Sequence, residues 1–290
     1  MMNPDKLDTR ISFDEKNVNF LNEMARKIRV DIVEMTYRAG MDRKTHPGPA
    51  LSITDLVAVL FFDTMRIDPT DPKWPDRDRF ILSKGHACPV LYSALAQKGF
   101  FEKEHLYKLR RVGAMLQGHP DMKGTPGVDM TTGSLGHGLS AGAGVALAGK
   151  IDKKDYRVFV IIGDGECQEG LNWEAAMTGA KYELDNLIAI IDCNNWQSCD
   201  SVPNTMPSLS PMVDKWNAFG WNTIQIDGHD IKQILSAFEI AAAHKGTPTA
   251  IIANTVKGKG VSFMEDDNSW HQKAVTDEQY EIAMKELSVS

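Results

Sequence analysis

Two polar clusters in this chain stand where a metal and a phosphate could be held. Val158 to Gly170 reads VFVIIGDGECQEG and Ile188 to Gln197 reads IAIIDCNNWQ. Asp164 offers a hard carboxylate oxygen and Asn194 an amide oxygen, while Gly163 and Gly165 let the backbone come close to a ligand. Together they describe a Mg²⁺ or Ca²⁺ site holding a diphosphate. Mg²⁺ suits it because that ion takes few protein ligands and leaves the rest of its shell to phosphate oxygens and water. Singly, GDG is a turn and DCNN a loop with ordinary Asx chemistry. Their pairing at the ends of consecutive strands favours the site.

The elements that must position these clusters follow from the apolar pattern. Each run is continuously apolar before it breaks into small and acidic residues, as in a strand buried on both faces that meets a polar site at its carboxyl end. Leu171 to Leu184 reads as the helix between them. Right-handed crossover of this β-α-β unit brings the two clusters side by side. Helical spacing marks 18–39, with Leu21, Met24, Ile28, Ile32 and Met35 near one face, and a second helix is expected from about Thr54 to Met65. Arg79 to Leu82 is a short strand, and the small residues from Gly136 onward permit a closely packed helix. Trp221 to Ile226 and Thr249 to Asn254 read as two more strands around a helix over 231–244, which Asp227 or Asp230 could cap. The expected architecture is α/β: a doubly wound, mainly parallel sheet with helices on both faces and the site at the strand carboxyl ends.

With 290 residues, 42% hydrophobic and 24% charged, the chain can bury a large core, and one domain over 1–290 is expected. A net charge of −7 without a long basic run argues against a nucleic-acid surface. No apolar stretch reaches membrane-span length and MMNPDKLDTR lacks a signal-peptide core, so a cytoplasmic location is expected. Cys88, Cys167, Cys193 and Cys199 show no CxxC pairing, which suits reduced thiols.

Eight histidines are scattered, without the close spacing of a zinc pair. Four stand out by their neighbours: His46 before PGP, His86 after a short strand and a glycine, His119 between Gly118 and Pro120, and His271 beyond a lysine- and glycine-rich loop. Neutral imidazoles exchange hydrogen bonds with sugar hydroxyls, and imidazolium can face a diphosphate or a developing alkoxide. An isolated histidine is otherwise a surface or packing residue. Lys257 and Lys259 in VKGKG read either as mobile, exposed anion partners or as a charged turn. Trp173, Trp196 and Trp270 read as packing residues rather than a stacking platform.

GDGECQEG followed by DCNN resembles the thiamine-diphosphate motif, and the chain as a whole resembles the amino-terminal half of transketolase. THPGPALS, LSKGHACPVLYSAL, GHPD, TTGSLGHGLSAGAGVALA and VKGKG with Trp270 and His271 run in that family's order. The resemblance implies a metal held by Asp164, Asn194 and the backbone carbonyl of Trp196. It implies cofactor contacts from Gly133, Leu135, Gly165, Glu166, Asn194, His86 and His271, with the TTGSLGHG backbone near the pyrimidine ring. It places His46, His119 and His271 near the ketose hydroxyls and reacting carbon. Glu169 and Glu174 match acidic residues of the family's subunit interface, although a solvated helix face explains them nearly as well. Ser134 stands where the family usually has proline and His137 where it has glutamine; the Trp270 region is similar to the shorter, split form.

The family activates its cofactor with a glutamate from a second, pyrimidine-binding domain, and no segment here resembles that domain. The resemblance therefore implies a diphosphate-binding domain with an amino-terminal helical extension, inactive alone, and a separately encoded carboxyl-terminal subunit that supplies the glutamate, with two copies of each chain. The expected activity is ketol transfer between sugars or sugar phosphates, with thiamine diphosphate and Mg²⁺, for which Ca²⁺ can substitute. Two other readings stay open: a Mg²⁺-nucleotide enzyme, disfavoured by the lack of a GxxxxGK[ST] loop, and a non-catalytic assembly subunit of a thiamine-diphosphate enzyme.

Overall fold

A computed structural model describes residues 13–289, so the reading of MMNPDKLDTR as lacking a leader lies outside the described residues. The first helix, α1 (Glu15–Ala39), starts where the Asp14 side chain accepts the Lys16 N–H, and it stops at Gly40, whose φ of 89° leaves the helical region. Leu21, Met24, Ile28, Ile32 and Met35 are all buried, as their spacing requires. Two short helices follow, α2 (Pro47–Leu51) and α3 (Thr54–Val59). The expected helix to Met65 does not run through as one α-helix: Leu60–Thr64 is a π-turn, after which Met65 is extended.

Strand β1 (Arg79–Leu82) leads through a single turn into α4 (Cys88–Lys98), a helix the sequence reading missed. Its apolar residues lie all round rather than on one stripe, because almost the whole helix is buried. A long loop precedes α5 (His137–Ile151), entered through Gly136 at φ 82°. The glycines here permit close approach: a Cβ on Gly138 would lie 2.4 Å from Ser83 Oγ, and one on Gly142 would lie 2.6 Å from Val160. The β-α-β unit is β2 (Val158–Gly163), α6 (Gly170–Lys181) and β3 (Leu187–Cys193). Beyond it come α7 (Val202–Thr205), α8 (Met212–Ala218), β4 (Asn222–Asp227), α9 (Ile231–Ala243), β5 (Thr249–Asn254) and α10 (Asp277–Val289). Asp230 is the α9 cap, accepting the N–H groups of Lys232 and Gln233, whereas Asp227 accepts from His229.

The five strands form one wholly parallel sheet in the order β1-β2-β3-β5-β4. One face, with Phe159, Ile161, Ile188, Ile190 and Ile251, packs under α1, α3, α4 and α9. The other, with Val158, Val160, Ile162, Ala189 and Ile252, packs under α5, α6 and α8. Burial on both sides explains why these strands are unbroken apolar runs. Gly163 pairs with Asp192 and Asp192 with Ala253, so the two polar clusters leave adjacent strands at one level. Among the described residues no helix is long and apolar enough to cross a membrane.

Candidate active site

The carboxyl ends of the strands open into a cavity of about 400 Å³ whose lining includes His46, His86, Gly133, Leu135, Asp164, Gly165, Glu166, Asn194, Trp196 and His271. Lys84 and Lys257 line it too. A second cavity, about 640 Å³, lies on the other side of Asp164 and has no cationic side chain in its lining. The ionisable groups are therefore concentrated in the first.

The acidic floor is built from β2 and β3. Asp164 is 4% exposed. Its Oδ1 accepts the Gly165 N–H and its Oδ2 the Asn195 N–H, each at 2.7 Å. Burial, with the Asp192 carboxylate nearby, pushes its pKa up to about 7. Asp192 is fully buried: its Oδ1 accepts hydroxyl hydrogens from Ser52 (2.7 Å) and Thr255, and its Oδ2 accepts from Asn194 (2.9 Å) and pairs with Lys84. Since the Asn194 amide nitrogen also donates to Ser52 Oγ, its Oδ1 must point the other way, where it accepts the Trp196 N–H at 2.9 Å and keeps one lone pair. Glu166 clamps three segments at once. It accepts from Ser83 Oγ, from the Gly136 N–H at 2.8 Å and from the Gly163 N–H at 3.0 Å.

Opposite this floor the groups are cationic or imidazole. The rings of His46, His86 and His271 form a mutual cluster with centroids 5.2 to 5.5 Å apart. Burial first, then neighbouring Arg110, lowers His46 to about 4, and burial with Lys257 lowers His271 to about 3. His86 is held well below its ordinary value by burial and Lys84. Lys257 donates to Asn268 Oδ1 at 2.7 Å and lies 3.0 Å from His271 Nδ1. Burial and Lys84 bring it down to about 8.

These shifts are a test of fit. Carboxylates that resist ionising sit beside amines and imidazoles that resist protonation, within one cavity. A divalent cation would relieve the first group and a polyanion the second. Among the described residues no three His, Cys, Asp or Glu side chains converge as a metal site. A carboxylate, an amide oxygen and a backbone carbonyl with open positions suit Mg²⁺ bound through a diphosphate instead.

The structure places the expected residues together with one exception. His119 is not in the cavity lining; its ring lies beside Gly133, 3.5 Å from where a Cβ would stand, and near enough to His46 and His86 to help lower both. At Gly165 a Cβ would meet the Gln197 Cβ at 2.8 Å, so packing also requires the glycine, whereas at Gly163 a Cβ would make only ordinary contact with Glu166 at 3.8 Å. Lys257 is 1% exposed, which corrects the expectation of a mobile surface lysine; Gly258, at φ 80°, turns the chain back and sends the side chain inward. Lys259 points elsewhere, to Glu265 at 3.2 Å. Trp173 packs on Trp216 and Phe219, and Trp270 is buried against Phe263, as packing residues. Cys167 is buried and Cys193 half-buried, both with raised pKa from burial, so neither is a reactive thiol. Glu169 and Glu174 are exposed. Lys84, Asp192 and Ser52 were missed: each lies inside a motif named above, but only the fold joins them.

Comparison with known proteins agrees with this geometry. Residues 19–289 match the family model described as "Transketolase, thiamine diphosphate binding domain". The chain is 49% identical over 242 residues to the 6-deoxy-6-sulfo-D-fructose transketolase subunit SqwG of Clostridium sp. (strain MSTE9), covering 83% of this chain and 88% of that protein. It is 43% identical to an apulose-4-phosphate transketolase subunit of Phocaeicola vulgatus, covering 93% of this chain and 95% of that protein. Among solved structures, transketolase from Campylobacter jejuni superposes with a TM-score of 0.87 at 30% identity, covering 93% of this chain and 43% of that one. With the fold, the cavity and these matches in agreement, the chain belongs to the transketolase family of ketol-transferring enzymes, of which it is the amino-terminal, thiamine-diphosphate-binding part.

Proposed function

We propose that this chain is the amino-terminal subunit of a split, Mg²⁺-dependent transketolase that moves a two-carbon ketol unit from a ketose or ketose phosphate to an aldose or aldose phosphate. The observation that carries the proposal is the double electrostatic mismatch of the cavity, Asp164 raised on one wall and His46, His271 and Lys257 lowered on the other. A cation beside Asp164 and a polyanion facing Lys257 and the imidazoles would suit both walls at once. Asp164, Asn194 and the Trp196 carbonyl would hold Mg²⁺, or Ca²⁺ in its place. Gly133, Leu135, Gly165, Glu166, His86 and His271 would hold the cofactor. When bound, thiamine diphosphate supplies the nucleophilic carbon and the electron sink for ketol transfer.

What the chain's own residues do can be derived from their state. His46 and His271 are neutral at pH 7, so each has one N–H to give and one lone pair to accept, which matches a sugar hydroxyl. His119, beside Gly133, would meet the donor sugar from the side of the TTGSLGHG loop. The three rings of the cluster are half-buried in the cavity wall, which limits water around them and lets a single imidazole hold or release a proton at a hydroxyl.

The chain is proposed to form one diphosphate-binding domain with an amino-terminal helical extension, and to pair with a separately encoded carboxyl-terminal subunit that contributes the pyrimidine-activating glutamate. Two of each chain are proposed per assembly. Two relatives named as subunits, each matched over most of its length, support this. A cytoplasmic location is proposed on the four free thiols. The test is reconstitution with sugar and sugar-phosphate substrates. The pair should transfer ketol units, lose activity to a chelator and regain it with Mg²⁺ and thiamine diphosphate; full activity of this chain by itself would refute the split assignment.

A further inference from the structure

Lys257 reaches the cavity from a loop held partly by Glu265, which accepts the Gly260 N–H and pairs with Lys259, and by backbone bonds from the Gly258 N–H to Gly48 and from the Asp266 N–H to Lys257. Gly258 and Gly260 both have positive φ, and the loop borrows further anchors from elsewhere in the fold. Two of those anchors converge on one atom. Asp55 Oδ2, on α3, pairs with Arg29 of α1 at 2.6 Å and with His229 Nδ1 at 2.8 Å. From there His229 Nε2 accepts the Val256 N–H at 2.8 Å, while Arg29 Nε donates to the Lys259 carbonyl at 3.1 Å. The grips fall one residue before Lys257 and two residues after it.

Because a backbone N–H can only donate, His229 Nε2 must carry the lone pair and Nδ1 the hydrogen, which it donates in a hydrogen bond to Asp55 Oδ2. The tautomer is thereby set by its two partners. All three side chains are largely buried, between 6% and 13% exposed, so the arrangement is held without competing water.

We propose that Asp55, Arg29 and His229 are positioning residues that fix the VKGKG loop so that the Lys257 ammonium faces the diphosphate-binding cavity. The inference rests on the function proposed above for the identity of the ligand, but not for the coupling of His229 to Lys257. Neither Asp55 nor His229 touches the cavity, and their effect is transmitted through the backbone of Val256.

The test is a double-mutant cycle on this chain reconstituted with its carboxyl-terminal partner subunit, with Mg²⁺ and thiamine diphosphate titrated calorimetrically. His229→Ala should weaken binding about tenfold, the scale of one well-placed charged contact. His229→Gln, which keeps an acceptor for the Val256 N–H, should recover most of that loss. In a Lys257→Met background His229→Ala should change the affinity less than about twofold, because the group it positions is gone. An equal loss with and without Lys257, or no loss at all, overturns the proposal. A second readout is acylation of Lys257 relative to exposed Lys73, which should rise several-fold in His229→Ala, and in the milder His229→Asn if the alanine variant does not fold. If the reconstituted pair fails to bind the cofactor while Lys257 acylation still responds to His229, the functional reading falls and the positioning role stands. Unchanged acylation sinks the positioning role itself.

Discussion

The buried Lys84–Asp192 pair offers the sharpest test of how the floor of the site is built. Lys84 is 3% exposed and Asp192 is fully buried, so each is the other's counter-charge in a region with little water. In Asp192→Asn the hydrogen-bond geometry can survive: the amide oxygen can face Lys84 and Asn194, and the Ser52 and Thr255 hydroxyls can turn to accept from the new NH₂. What is lost is the charge. Removing one partner of a buried pair costs about 3–5 kcal/mol, because the survivor stays desolvated and unpaired. We expect the lower end, about 3 kcal/mol, since the four polar contacts can be kept. For a chain of this size that lowers Tm by roughly 5 °C. Lys84→Met should cost a similar amount, while the double variant should cost clearly less than the sum, with a coupling of about 2 kcal/mol or more. Urea unfolding of the four proteins without cofactor measures this directly. Single losses that add to within about 0.5 kcal/mol would show that the two charges do not share a site, and the reasoning about the floor would fail.

Further outcomes follow from the same geometry. Asp164→Ala should reduce Mg²⁺-dependent cofactor binding by at least about 100-fold, measured by titration, because removal of a direct ligand exceeds the loss typical of its supporting shell; normal binding would rule out the metal assignment. The cofactor-free chain should lose stability on mild acidification: burial holds His46 at about 4 and His271 at about 3, against about 6.5 when unfolded. Between those values the unfolded chain takes up protons that the folded chain refuses, so stability falls as pH drops through that window. The Asp164 carboxyl, pushed up to about 7, works in the opposite sense over the same window, so melting curves at pH 7 and pH 5 are compared in an Asp164→Asn background, where a flat profile would contradict the histidine contribution. Gly165→Ala should cost about 1–3 kcal/mol, read by denaturation, because its Cβ would force the β2 and β3 loops apart at Gln197.

Much of the fold was legible because its strands are buried on both faces. VFVIIGDG and IAIIDCNN announce their ends by an abrupt change from apolar to acidic residues, and Thr249–Asn254 was placed to the residue. The glycines of α5 announced close packing before it was seen. Helix α4 was missed because a helix buried all round carries no amphipathic stripe. The π-turn at Leu60–Thr64 has no local signal either, since its residues continue a helical pattern.

The residues with chemistry were likewise legible wherever type and spacing speak: Asp164, Asn194 and the histidines beside glycine or proline. The sequence by itself determined that a carboxylate, an amide and flanking glycines stand at the ends of consecutive strands, because each apolar run breaks abruptly into them. Only the tertiary structure decided what surrounds them. It brought Ser52, Lys84, Asp192 and Thr255 into one buried network, turned Lys257 inward and tied its loop to Asp55 through His229. Those partners of Asp192 lie 63 to 140 residues from it and Asp55 lies 174 from His229, distances that leave no periodicity between them. Their charges acquire meaning only when folding removes the water that screened them.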